Sequence, residues 1–162
     1  MKKLLTILII STLAHWHIST LTFAQNLVPN YSFECKTACP DNQNQVYKAV
    51  PWDKPTIATS DYFNACFTSG SFSVDVPSNL FGDQPARTGT GYVGGYFHIT
   101  SESREYIQVP LRSPLDSGKC YEVSFYVSLA DKLERAIDEL GAYFSNGPIN
   151  MGITTVLPFV PQ

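Results

Sequence analysis

Lys119–Ser145 reads KCYEVSFYVSLADKLERAIDELGAYFS. Tyr121, Val123, Phe125, Val127 and Leu129 fall on one face, and Cys120, Glu122, Ser124, Tyr126 and Ser128 on the other. Alternation of this kind is the pattern of a half-buried strand. It places Val123, Phe125 and Val127 in the core, with Glu122 and Ser124 outside it. Leu140, Ala142 and Phe144 repeat the pattern more briefly. Together the two runs read as the central hairpin of an antiparallel β-sandwich. The segment between them, DKLERAIDEL, has strong helix formers and an apolar stripe at helical spacing. Because strands flank it, the expectation is one helical turn at Asp131–Arg135, with the chain returning to the sheet from Ala136.

Further short runs flank the hairpin. Asn26–Glu34 suits an edge strand, since Pro29 cannot donate to a ladder. Asn30-Tyr31-Ser32 also matches a glycosylation acceptor. Val46–Pro51, the alternating Phe72, Val74 and Val76, Tyr92–Phe97 and Arg104–Leu111 read as further strands. Pro55–Cys66 is a compact aromatic segment, read as a loop over one end of the core. The glycines of Asn79–Gly95 fit no nucleotide fingerprint, and no lysine follows them. Short strands between Gly, Pro and Asp turns indicate an all-β sandwich or barrel.

The N-terminus has Lys2 and Lys3, an apolar run Leu4–Leu13, and small residues before Gln25. This is the pattern of a secretory signal peptide, residues 1–24, cleaved after Ala24. The apolar run is too short to span a bilayer. Residues 25–162 then form one β-sandwich domain that is secreted, periplasmic or on the outer cell surface. Removing the leader leaves nine basic against fourteen acidic residues, a net charge of −5. That balance argues against nucleic acid and anionic membranes as partners.

Cys35, Cys39, Cys66 and Cys120 read as disulfides in an exported chain, with a four-cysteine zinc site as the rival. Four cysteines allow three pairings. Cys35 with Cys39 closes a very small loop, which favours the other two. The first choice is Cys39–Cys66 with Cys35–Cys120. His98 is the only histidine after the leader, and no serine lies in a G-x-S-x-G motif. No pair of acids stands out for glycoside hydrolysis. The chain is therefore read as non-catalytic.

Tyr and Trp join a large apolar face to a polar tip, as sugar stacking requires. Trp52, Tyr62 and Tyr92, beside Phe63, Phe81 and Tyr96, lie in or next to loops, with Asp61, Gln84 and Arg87 as hydrogen-bonding partners. For each aromatic, packing at the ends of the sandwich is the competing reading.

Four segments occur in order: NLVPNYSFE (26–34), PW…P…SDYFNAC (51–66), NLFGDQPARTGTGYVGGYF (79–97) and REYIQVPLRSPLDSGKCYEVSFYVSLAD…AIDELGAYFS (104–145). This order resembles exported proteins of the Bacteroidetes kind. In those proteins an N-terminal galactose-binding-like jelly roll, similar to carbohydrate-binding modules, precedes an outer-membrane peptidoglycan-binding or C-terminal sorting domain. The resemblance implies a jelly roll and a glycan or cell-envelope polysaccharide as partner. A structural or adhesive surface module is the alternative, and a polysaccharide hydrolase the third reading. It implies no cofactor beyond a structural calcium held by Glu34. It also implies that Leu27–Phe33 pairs with a last strand lying beyond Gln162. The expectation is thus a sandwich lacking its last strands and a C-terminal domain, marginal and prone to associate.

Overall fold

The computed structural model describes residues 25–66, 73–97, 102–137 and 139–162. Residues 1–24, expected to be a signal peptide, lie outside the described residues, as do Phe72 and His98. The chain is built of short strands and coil, with no α-helix among the described residues. No helix among them is long and apolar enough to cross a membrane.

The core forms on Asp61–Asn64 (β1), which pairs antiparallel with Gly91–Gly94 (β4), Asp61 opposite Gly94 and Asn64 opposite Gly91. Between them, Ser78–Asn79 (β2) and Gly82–Asp83 (β3) make a small antiparallel hairpin. The glycines of β4 are required by close approach. A Cβ at Gly91 would meet the Asn64 amide at 2.7 Å, and one at Gly94 would meet the Phe63 ring at 2.9 Å. All four β1 residues are buried. Tyr62 and Phe63 join Val46, Ala49, Ala58 and Val74 in the core. Phe63 stacks on Tyr92 at 4.8 Å and meets Phe81 edge-on at 5.9 Å.

β1 escaped the periodicity reading because it is covered on both faces. A strand buried on both sides shows no alternation. Asp61 and Asn64 at its ends further disguise it, since both types are depleted in strands.

Several expected strands take other forms. Asn26–Glu34 is a turn, with positive φ at Asn30 (45°) and Phe33 (60°). The Asn30 side chain accepts from Cys35 N–H and donates to the carbonyls of Cys35 and Val50. Asparagine both tolerates the left-handed region and replaces ladder bonds in this way. Arg112 N–H donates to Leu27 C=O at 2.9 Å, one contact rather than a ladder. Val46–Lys48 is a single 3-10 turn, with Val46 N–H bonded to Ser60 C=O. Strand β4 overlaps the expected Tyr92–Phe97 run, starting one residue earlier and ending at Gly94. From Arg104–Leu111 only Gln108 pairs, in a bridge to Asp53.

The largest correction concerns Tyr121–Leu129. It carries no strand pairing, and Val123, Phe125 and Val127 are 49 %, 49 % and 70 % exposed rather than core. Alternation shows that a segment has two unlike faces. It supplies neither the ladder partner nor the covering layer that a strand needs. The segment is tied down at its C-terminal end instead. Ser128 Oγ donates to Gln84 Oε1, Asp83 N–H to Asp131 Oδ2, and Lys132 N–H to Phe81 C=O. A single turn does follow, closed by Leu133 N–H to Ala130 C=O, but the chain does not rejoin a sheet after it.

The C-terminal residues run back along the core. Met151 N–H bonds Pro55 C=O, Ile57 N–H bonds Ile153 C=O, and Arg104 N–H bonds Thr154 C=O. Cys39 and Cys66 form a disulfide, which joins the loop before the 3-10 turn to the end of β1. Cys35 and Cys120 are free and exposed, so the second expected pair is not made. Asn30 holds the Cys35 backbone against Val50, while Cys120 lies on the exposed segment.

Candidate functional site

The sequence nominated residues by type, and the structure sorts them by what they touch. Trp52 packs on Phe33 at 5.0 Å, and its indole N–H donates to Asn30 C=O. Tyr62 is fully buried. Its hydroxyl donates to Phe33 C=O at 2.7 Å and accepts from the Asn64 amide. Burial pushes its hydroxyl up to about 12, opposed by the Asn64 hydrogen bond. Tyr92 is half-buried on Phe63, and its hydroxyl accepts from the Asn79 amide at 2.8 Å. Burial raises it as well. These three rings build the interior and are spent there.

Asp61 is 4 % exposed and accepts Asn44 N–H at 2.6 Å. Burial drives its carboxyl up to about 6. Asn44 N–H works against that rise, the Glu105 charge adds to it, and the Lys54 charge opposes it. Glu105 is equally buried, taking Tyr96 N–H on one oxygen and the Thr59 hydroxyl on the other. Beside this pair, Ser60 Oγ donates to Tyr106 C=O at 2.8 Å. Residues 59–61 and 105–106 thus form one polar seam at the start of β1. Both acids are satisfied within the protein, which is what buried carboxylates require.

Glu34 bonds the glycine loop before β4. Its carboxylate accepts Thr90 N–H, the Thr90 hydroxyl and Gly91 N–H, each at 2.9 Å. Burial alone would raise its pKa. The Thr90 and Gly91 bonds and the charge of Lys36 outweigh that and hold it below the usual range. Gly89 sits at φ 63°, and a Cβ there would run into the Glu34 carboxylate. Calcium takes six to eight oxygens, usually from several groups. Glu34 brings a single carboxylate already accepting these three bonds. No cluster of three or more His, Cys, Asp or Glu suited to a metal occurs among the described residues. Among the described residues, the Glu34 carboxylate serves the glycine loop.

Gln84 and Arg87 have a different setting. They lie on the loop between β3 and β4, facing the exposed segment. The Arg87 guanidinium carbon stands 3.3 Å from the centre of the Tyr126 ring. Stacking of a cation on an aromatic face is favourable by roughly 0.5–1 kcal/mol at an exposed position. Tyr126 is nevertheless 74 % exposed. Gln84 Oε1 accepts from Ser128 Oγ, and its amide donates to Pro85 C=O. The result is a surface platform of Tyr126, Arg87, Gln84 and Ser128.

The sequence reading passed over Tyr126 and Ser128, having assigned both to the polar face of a strand. The available signal was a tyrosine among Cys120, Glu122, Ser124 and Ser128 on that face. A separate cleft of about 420 Å³ lies between Asp53, Lys54, Ile57, Gln108, Ile149 and Asn150. Much of its polar lining is already paired. The Gln108 amide bonds Ile149 N–H and C=O, and Lys54 Nζ donates to Ala58 C=O. Comparison with protein-family models, with curated proteins and with solved structures finds no match.

Proposed function

We propose that this chain is an exported, non-catalytic binding module of jelly-roll type. Its ligand is a glycan or cell-envelope polysaccharide, held on the Tyr126–Arg87–Gln84–Ser128 platform. The carrying observation is the Tyr126 ring, 74 % exposed yet held by a guanidinium 3.3 Å from its centre. An aromatic surface fixed in place and open to solvent suits the C–H face of a sugar ring. Neighbouring hydroxyl, amide and guanidinium groups suit its hydroxyls. The Cys39–Cys66 disulfide supports an oxidising compartment and hence export.

An adhesive surface module is the second reading, favoured by the exposed apolar side chains of Tyr121–Leu129. Such a patch suits protein contact. The hydrolase reading draws no support from Asp61 and Glu105, which are buried and hydrogen-bonded within the protein.

A glycan array followed by calorimetric titration tests the proposal. Tyr126→Ala is expected to weaken binding about tenfold or more at unchanged stability, on the scale of one base–aromatic stack. Equal binding by Tyr126→Ala and the parent would exclude the platform. No binding across the array by a folded protein would favour the adhesive reading.

A further inference from the structure

Resting on the binding role proposed above, we infer that the glycan is acidic and that Arg87 receives a sugar carboxylate. The ion pairs among the described residues join Lys48 to Asp41 and Lys119 to Asp116, and Arg87 takes part in neither. Its guanidinium is held over the Tyr126 ring. Stacking engages the face of that group, whereas its five N–H donors lie in its plane. Those donors are therefore still available to a ligand. Of the other polar groups of the platform, the Ser128 hydroxyl donates to Gln84 Oε1, and the Gln84 amide gives one of its two hydrogens to Pro85 C=O. Arg87 thus brings the platform's positive charge and most of its free donors, and a planar carboxylate matches its fork with two parallel bonds. A neutral hydroxyl matches one donor at a time.

The sequence as a whole carries a net charge of −3. Its field therefore does not draw an acidic polymer from a distance. The preference for acid depends on this short-range contact and disappears with it.

Paired probes isolate the charge: oligogalacturonate and oligoglucuronate tetramers, each as the free acid and as the methyl ester. Each pair shares one backbone and differs in the carboxylate. Titration of the parent is expected to show at least one free acid binding about tenfold tighter than its ester, the scale of a charge-assisted hydrogen bond. Arg87→Met is expected to remove the difference. Arg87→Lys keeps the charge without the fork and is expected to retain part of it. Arg87 is exposed, so both variants should keep the parent's thermal midpoint. Ester bound as tightly as acid by the parent would overturn the inference and leave the binding role standing. A preference that survives Arg87→Met would overturn it too. No binding of acid or ester by the folded parent would overturn the inference as well, and the glycan array then decides the binding role separately.

Discussion

At the residue scale, two carboxylates pull the pH dependence of stability in opposite directions. Asp61 is raised to about 6 from 3.8, mainly by burial. Its neutral form is favoured in the folded state, so its contribution is fully present below pH 3.8 and is lost as pH rises through 6. About two units correspond to up to about 3 kcal/mol. Glu34 is lowered, its hydrogen bonds to Thr90 and Gly91 outweighing burial. Its contribution is present above its ordinary value of 4.5 and fades as pH falls through the lowered one. Stability of the parent should therefore decline from about pH 4 to pH 7. Asp61→Asn should remove that decline, as measured by urea unfolding at several pH values. A parent curve rising over this interval would show that Asp61 is not buried as described. The sequence identified Asp61 and Glu34 as notable, but burial and hydrogen-bond partners decide what each does. A tyrosine that stacks on a sugar and one that stacks on Phe63 have the same chemistry, so residue type could not separate Tyr92 from Tyr126.

At the element scale, β1 and the disulfide carry the fold. Cys39 and Cys66 are 27 residues apart, and closing a loop of that size contributes about 3–4 kcal/mol. Peptide mapping without reduction should return a Cys39–Cys66 peptide, with Cys35 and Cys120 alkylated. Reduction should lower the urea midpoint by an amount matching that energy. A Cys35–Cys120 peptide would contradict the structure. Counting residues between cysteines removes the smallest loop but leaves two pairings, so Cys39–Cys66 was legible only as the first choice of two. That Tyr121–Leu129 stays unpaired was not legible, because period two specifies faces and leaves pairing open. With Phe125 49 % exposed, Phe125→Ala should cost under about 1 kcal/mol, against about 3–5 kcal/mol for a buried phenylalanine. A loss in the higher range would place this segment in a packed sheet. Gly94→Val sets a bulky side chain against the Phe63 ring and should destabilise by about 1–3 kcal/mol in the same assay.

At the scale of the whole molecule, all-β character was legible from turn spacing, and the place of the core was not. The core lies where strand signals were weakest, at Asp61–Asn64, and is closed by glycines that permit close approach. The segment with the strongest strand pattern lies exposed and contributes surface. On the proposed reading, binding and folding are divided between two sets of aromatics. Trp52, Tyr62 and Tyr92 hold the interior, and Tyr126 with Arg87 meets solvent. Amide hydrogen exchange, with and without a saturating acidic oligosaccharide, tests this division most directly. Added protection is expected at residues 84–87 and 126–128, with exchange at residues 52–64 unchanged. Protection at 52–64 without change at 126–128 would contradict it, placing the ligand on the aromatics described here as core.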